Sequence, residues 1–286
     1  MLVGDVANAM QSLYLSLRFA FFAGDKLSVL SRSYDKYLAS MVKYSIESAK
    51  AAVMNKILIN DLTGNTVDPF FVFNGLIPDE HFLLADAKSR NNVLLIENIH
   101  QCRFFIAFYN GDYAKAEEIY EVILSFSTSQ APRMLTIQGT FLRGLISFQL
   151  YRDGQGEEWQ SKGKTLLDKM EPWLQKSKSL FENKVLLLRA EHLASIPNIS
   201  DAIEMYNASI KSARDHGHIH EEGLAYEFMG NFFASIVEST EATRCYKNAH
   251  RCYMIWGAVA KADKIWKDHQ LDHFNGIEPR AKHGRD

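Results

Sequence analysis

Residues 226–249 read YEFMGNFFASIVESTEATRCYKNA, and the spacing of their small and aromatic side chains decides the fold. Gly230 lies between Tyr226 and Phe233, while Ala242, Tyr246 and Ala249 recur at helical steps further on. A glycine inside a helix costs roughly 1 kcal/mol relative to alanine, so it is kept where a neighbouring helix must come close. Ala242 and Ala249 supply the matching flat surface. The stretch therefore reads as two helices packed tightly and antiparallel.

The same pattern returns upstream. Leu186, Ala190, Leu193, Ala202 and Tyr206 repeat it, and Gly111, Asp112, Tyr113, Ala116 and Tyr120 form another turn and second helix. Tyr226, Met229, Gly230, Phe233, Ala242, Tyr246 and Ala249 occupy the signature places of a tetratricopeptide unit, with Val237 where the turn glycine usually stands. Ala202 and Ala242 are 40 positions apart, a short insertion beyond the family's period of about 34 residues. The competing reading is an ordinary helical bundle with chance small residues. The expected fold is all-α, a right-handed array of antiparallel helix pairs resembling a tetratricopeptide α-solenoid over residues 1–270, with residues 271–286 as a disordered tail.

Composition sets the outer bounds. With 286 residues, 47% hydrophobic and 23% charged, the chain can bury a real core and is not wholly disordered. A formal net charge of −2 and a pI of about 6.6 leave no basic footprint for nucleic acid. The apolar run Leu13 to Ala23 is interrupted by Arg18 and is shorter than the roughly 20 residues that cross a bilayer, so it reads as a buried helix. Asp5 is the only charge ahead of Arg18, unlike a secretory leader. Cys245 and Cys252 lie seven positions apart on one helix, a rise of about 10.5 Å and beyond disulfide reach. Three free cysteines fit a reducing cytoplasm.

Turn formers place the boundaries. Gly24-Asp25 separates a helix over Val6 to Ala23 from helical sequence running to about Leu62, with a break near Ser45. Thr63 to Pro78 is the longest expected loop, Asp79 a helix cap, and Asn110-Gly111-Asp112 a turn into a helix over Tyr113 to Phe126. Pro132 opens the next pair, Asp153 to Gly156 turns it, and Ile196-Pro197-Asn198 separates the one after.

Chemistry-bearing clusters are sparse. His216, His218 and His220 precede Glu221 and Glu222, but only His216 and His220 would share a helix face, and no HExxH arrangement is present. The plainer reading places His216 at one helix's negative end and the glutamates in the next helix's positive first turn. No serine sits in a Gly-x-Ser-x-Gly elbow, and Gly154 and Gly156 lack the Lys-Ser/Thr ending of a P-loop. His100 and Cys102, two apart, point to different faces. Trp256-Gly257-Ala258 with Lys261 reads as a core cap rather than a ligand-stacking site. No cofactor or metal is expected.

A wider resemblance follows from three strings: DAIEMYNASIKSA at 201–213, HGHIHEEGLAYEFMGNFF at 216–233 and ATRCYKNAHRCYMIWGAVAK at 242–261. Together they resemble the end of the tetratricopeptide-like region of large multidomain sensor histidine kinases, and GDVANAMQSLYLSLRFAFFAGDKLSVL at 4–30 resembles that region's start. In that family a protein-kinase-like domain and a P-loop ATPase come first, then the helical region, with GAF and histidine-kinase domains often after it. This chain has no kinase catalytic loop, P-loop, phosphoacceptor helix or ATP-binding glycine boxes, so the resemblance implies the helical region alone. It is either a free-standing copy or a fragment of a larger product.

The implied function is non-catalytic: a module for protein–protein interaction or intramolecular regulation in signal transduction, its partner a peptide or an ATPase or histidine-kinase domain, with neither nucleic acid nor membrane. In tetratricopeptide units the groove-facing places fall on Lys184, Glu191, Glu227, Asn231 and Ser235, expected to be exposed and to contribute little to folding. Equally, these are simply solvated helix faces. The alternative function is a small-ligand sensor, with a pocket between the middle pairs around Phe104, Phe108, Phe141 and Phe148.

Overall fold

The computed structural model describes residues 4–44, 46–126, 133–196 and 198–271. Among them are thirteen α-helices: α1 (Gly4–Ala23), α2 (Leu27–Tyr44), α3 (Ile46–Thr63), α4 (Glu80–Ser89), α5 (Val93–Tyr109), α6 (Tyr113–Phe126), α7 (Arg133–Arg152), α8 (Glu157–Leu174), α9 (Lys178–Ala194), α10 (Ile199–Asp215), α11 (Ile219–Ser235), α12 (Ser239–Trp256) and α13 (Val259–Asp268). Local chemistry sets their ends. Asp79 accepts the Phe82 amide at 2.8 Å to start α4, and Asn92 accepts that of Leu95 at 3.1 Å to start α5. At the α5/α6 turn the amide of Gly111 reaches the Phe108 carbonyl at 2.9 Å and that of Asp112 reaches Ala107 at 2.9 Å, with Gly111 in the left-handed region at φ 77°. The α11/α12 turn repeats those bonds around Val237, which is forced to φ 65° although it is β-branched.

Consecutive helices pack as pairs, α5 with α6, α7 with α8, α9 with α10 and α11 with α12, so the array of antiparallel helix pairs expected from the sequence is what forms. Small residues sit where the helices meet. A Cβ built on Gly230 would lie 2.6 Å from the Tyr246 ring, and Ala242 and Ala249 are buried beside it. Gly163 meets the Phe148 ring of the α7/α8 pair in the same way, at 2.8 Å.

Some expectations are refined. The break near Ser45 falls between α2 and α3, Ser45 itself lying outside the described residues along with Pro132 and Pro197. The connection from Thr63 to Pro78 is not all loop, since Asp68 caps a 3-10 turn over Pro69–Phe73 that buries Phe70 and Phe73. Leu271, assigned to the tail, is buried; residues 272–286 lie outside the described residues. No described helix is long and apolar enough to cross a membrane.

The two ends of the array meet. α13 packs against α3, and Trp256, which the sequence suggests as a cap over the last pair, is wholly buried against the first turn of the chain. Its indole Nε1 donates to the Asp25 carbonyl at 3.1 Å, and its ring centroid lies 5.6 Å from Phe21 and 5.7 Å from Tyr109.

Candidate functional site

The five groove positions lie on α9 and α11, first helices of successive pairs. Four of them are not on a solvated face, which corrects the expectation of exposure. Lys184 is 6% exposed; its Nζ contacts Glu221 Oε2 at 2.7 Å, and the same oxygen accepts from Asn183 Nδ2 at 2.5 Å. Glu191, with no exposed surface, accepts from Arg152 Nη2 at 2.7 Å and from the Tyr206 hydroxyl. Glu227 is buried between Lys261 Nζ and the Tyr253 hydroxyl, each at 2.7 Å. Asn231, half-buried, donates to Gln149 Oε1 at 3.1 Å and accepts from the Tyr246 hydroxyl at 2.9 Å. Only Ser235 is exposed, its hydroxyl turned to the Phe232 carbonyl at 2.7 Å.

The reason is that this chain fills its own inner face. Aromatic side chains of α1, α5 and α6 lie against α11 and α12: Phe21 and Tyr109 pack on Trp256, the Phe108 and Phe228 rings are stacked 6.4 Å apart, and Tyr113 is 6.1 Å from Phe228. Where Phe21, Phe105 and Tyr109 meet Phe141 and Leu224, the remaining void is about 10 Å³, room for about one water. Phe104, Phe108, Phe141 and Phe148 are all fully buried, so the interior where the sensor alternative placed its pocket is filled.

Burial makes the ion pairs obligatory. It drives Glu221 toward its neutral form, but the charges of Lys184 and His220 and the hydrogen bonds from Lys184 and Asn183 outweigh it and hold the carboxyl at about 2. For Glu191 burial prevails over Arg152 and Tyr206, and the carboxyl is raised. Arg152–Glu191, Lys184–Glu221 and Glu227–Lys261 thus link α7, α9, α11 and α13 in a row of buried pairs, 39, 37 and 34 positions apart along the chain. Arg152 escapes sequence reasoning as a site residue, Glu221 is noticed only beside the histidines, and Lys261 only beside Trp256. The signal for all three is opposite charges about one repeat period apart on first helices.

The histidines divide. His216 forms the C-cap of α10, its Nδ1 2.8 Å from the Ser212 carbonyl, and Glu221 and Glu222 fall in the first turn of α11, as the dipole reading requires. His220 is buried with its ring centroid 5.3 Å from Trp256, and burial lowers it to about 4 despite Glu221. Among the described residues no three His, Cys, Asp or Glu side chains gather to hold a metal. Cys102, Cys245 and Cys252 are free and buried, and burial raises the Cys102 thiol to about 12.

The geometry is therefore that of a self-filled helical array, a class defined by its architecture. No family model, curated protein or solved structure matches the chain.

Proposed function

We propose that this chain is a non-catalytic helical-repeat module of a cytoplasmic signal-transduction system, which positions other protein segments, ATPase or histidine-kinase domains among them, rather than capturing a free peptide in its groove. The observation that carries the reading is the inner face occupied in cis by α1 and α5 and cross-linked by three buried ion pairs. A surface so filled supports a rigid spacer whose contacts lie outside. The resemblance of residues 201–261 to the helical region of multidomain histidine kinases supports the same setting. On the outside, Val67, Phe71, Leu76 and Phe82 are four exposed apolar side chains on one connection and the helix after it, Phe71 and Leu76 being 66% and 67% exposed.

Co-purification with histidine-kinase and ATPase segments of the same signalling system tests this. Phe71→Asp with Leu76→Asp removes the contact without touching the core, and is expected to abolish co-purification while the melting temperature holds. Undiminished co-purification would sink the assignment to this surface. Phosphate release from radiolabelled ATP above a buffer control, abolished by a point change in this chain, would overturn the non-catalytic reading.

A further inference from the structure

Away from the filled inner face, a cleft of about 390 Å³ opens between α1, α3 and α5, within the range of small-molecule sites. Two opposite charges line it. Arg18 is 6% exposed and Glu97 4%. Neither forms an ion pair with the other or with any other described residue. The Arg18 guanidinium donates to the Tyr14 hydroxyl at 2.6 Å and to Gln101 Oε1, both neutral acceptors. Glu97 accepts from Gln101 Nε2 at 3.1 Å, so a single amide stands between the cation and the anion. The third charged lining group, Glu47, is already met by Lys50 Nζ at 2.9 Å and by the Asn92 amide at 3.2 Å. Leu15, Phe22, Ala51 and Leu95 add apolar wall, and Phe19 and Leu94 stand 44% and 62% exposed.

Two nearly buried ions held apart by an amide are costly to keep unless something else completes them, because each charge loses its water without gaining a counter-ion. A ligand bearing only a carboxylate would meet Arg18 but place a second anion beside Glu97. One bearing only an ammonium would do the reverse, and a neutral ligand would bury both charges unanswered. We propose that this cleft binds a small zwitterion with an apolar body, the class of aliphatic and aromatic α-amino acids, its carboxylate at Arg18, its ammonium at Glu97 and its side chain along Leu15, Phe19 and Leu94. Burial raises the Glu97 carboxyl against the pull of Arg18 and Gln101, and an ammonium beside it would offset that burial. The inference stands apart from the interaction reading and gives the sensor alternative a different place and a ligand class.

Isothermal titration of the intact chain with L-leucine and L-phenylalanine tests it, alongside 4-methylpentanoate and 3-methylbutylamine, which each keep one charge. The expected result is saturable binding of one or both amino acids, with each singly charged analogue weaker by about tenfold or more, the loss of one charge-assisted contact. Leu94→Trp, at an exposed position, should report binding through its fluorescence or block it, with the fold unchanged. Arg18→Gln and Glu97→Gln should each abolish discrimination against the analogue lacking the matching charge; if either variant fails to fold, the analogue series on the unmodified chain decides alone. Absence of saturable binding for every apolar amino acid, or equal affinity for a singly charged analogue, overturns the proposal.

Discussion

Replacing Lys184 by Met is expected to destabilise the fold heavily, and by an amount that depends on pH in a defined direction. Among the described residues the ammonium is the one permanently charged cation in contact with Glu221, whose side chain is 2% exposed. A carboxyl held at about 2 against an ordinary 4.5, at about 1.4 kcal/mol per tenfold, contributes about 3 kcal/mol to folding. That agrees with the roughly 3–5 kcal/mol lost when one partner of a buried pair is removed. In the native chain the folded value lies below the unfolded one, so the contribution is complete above pH 4.5 and disappears as the pH falls toward 2. In Lys184→Met burial dominates, the folded value of Glu221 rises above 4.5, and the carboxylate opposes folding at neutral pH. The gap between the proteins should therefore be widest near pH 7 and narrow as the pH falls, first through the raised value in the variant and then below about 4.5 in the native chain. His220, 3.6 Å from the carboxylate, is neutral above about pH 4 in the native chain and does not reverse this. Urea unfolding of both proteins at pH 7, 5 and 4 measures the gap. A gap of under about 1 kcal/mol at pH 7, or one that stays constant down to pH 4, would refute the ion-pair reasoning. The double variant Lys184→Met, Glu221→Gln should recover much of the loss, because no unpaired charge remains.

Two further outcomes follow from the α11/α12 pair. Gly230→Leu should cost about 1–3 kcal/mol or more, since even a Cβ would stand 2.6 Å from the Tyr246 ring; an unchanged thermal midpoint would mean that the helices do not meet there. Val237→Gly should raise stability by about 1 kcal/mol, because a β-branched residue at φ 65° is strained and its side chain is 84% exposed; a lower urea midpoint would show that the turn is not strained.

The helices and their pairing were legible because local chemistry dictates them. Gly111 turns one helix into the next, Asp79 starts one, and Gly230 with Ala242 and Ala249 announces a close approach. The groove residues were legible as positions but not as environments. Lys184, Glu191 and Glu227 stand on first helices as expected, yet they are buried against Glu221, Arg152 and Lys261 of neighbouring repeats, and helical periodicity alone carries no information on what packs over a given face. Trp256 shows the same limit: its size marks it as core, whereas its bond to Asp25 spans 231 positions. The pairing of Arg152 with Glu191 and of Glu227 with Lys261 was within reach through the repeat period, because equivalent helices put residues one period apart side by side.

The indole bond from Trp256 to Asp25 also bears on how the chain comes apart. An open stack of repeats touches only its neighbours, so its ends can peel while the middle stays folded, and its stability is close to a sum over repeats. Here the last helices hold the first turn, and α13 holds α3, so peeling at either end breaks contacts at both. Slow amide exchange should then reach the terminal helices α1 and α13 as it does the central ones, and trimming the array from its C-terminal side should loosen the N-terminal helices first rather than the new end.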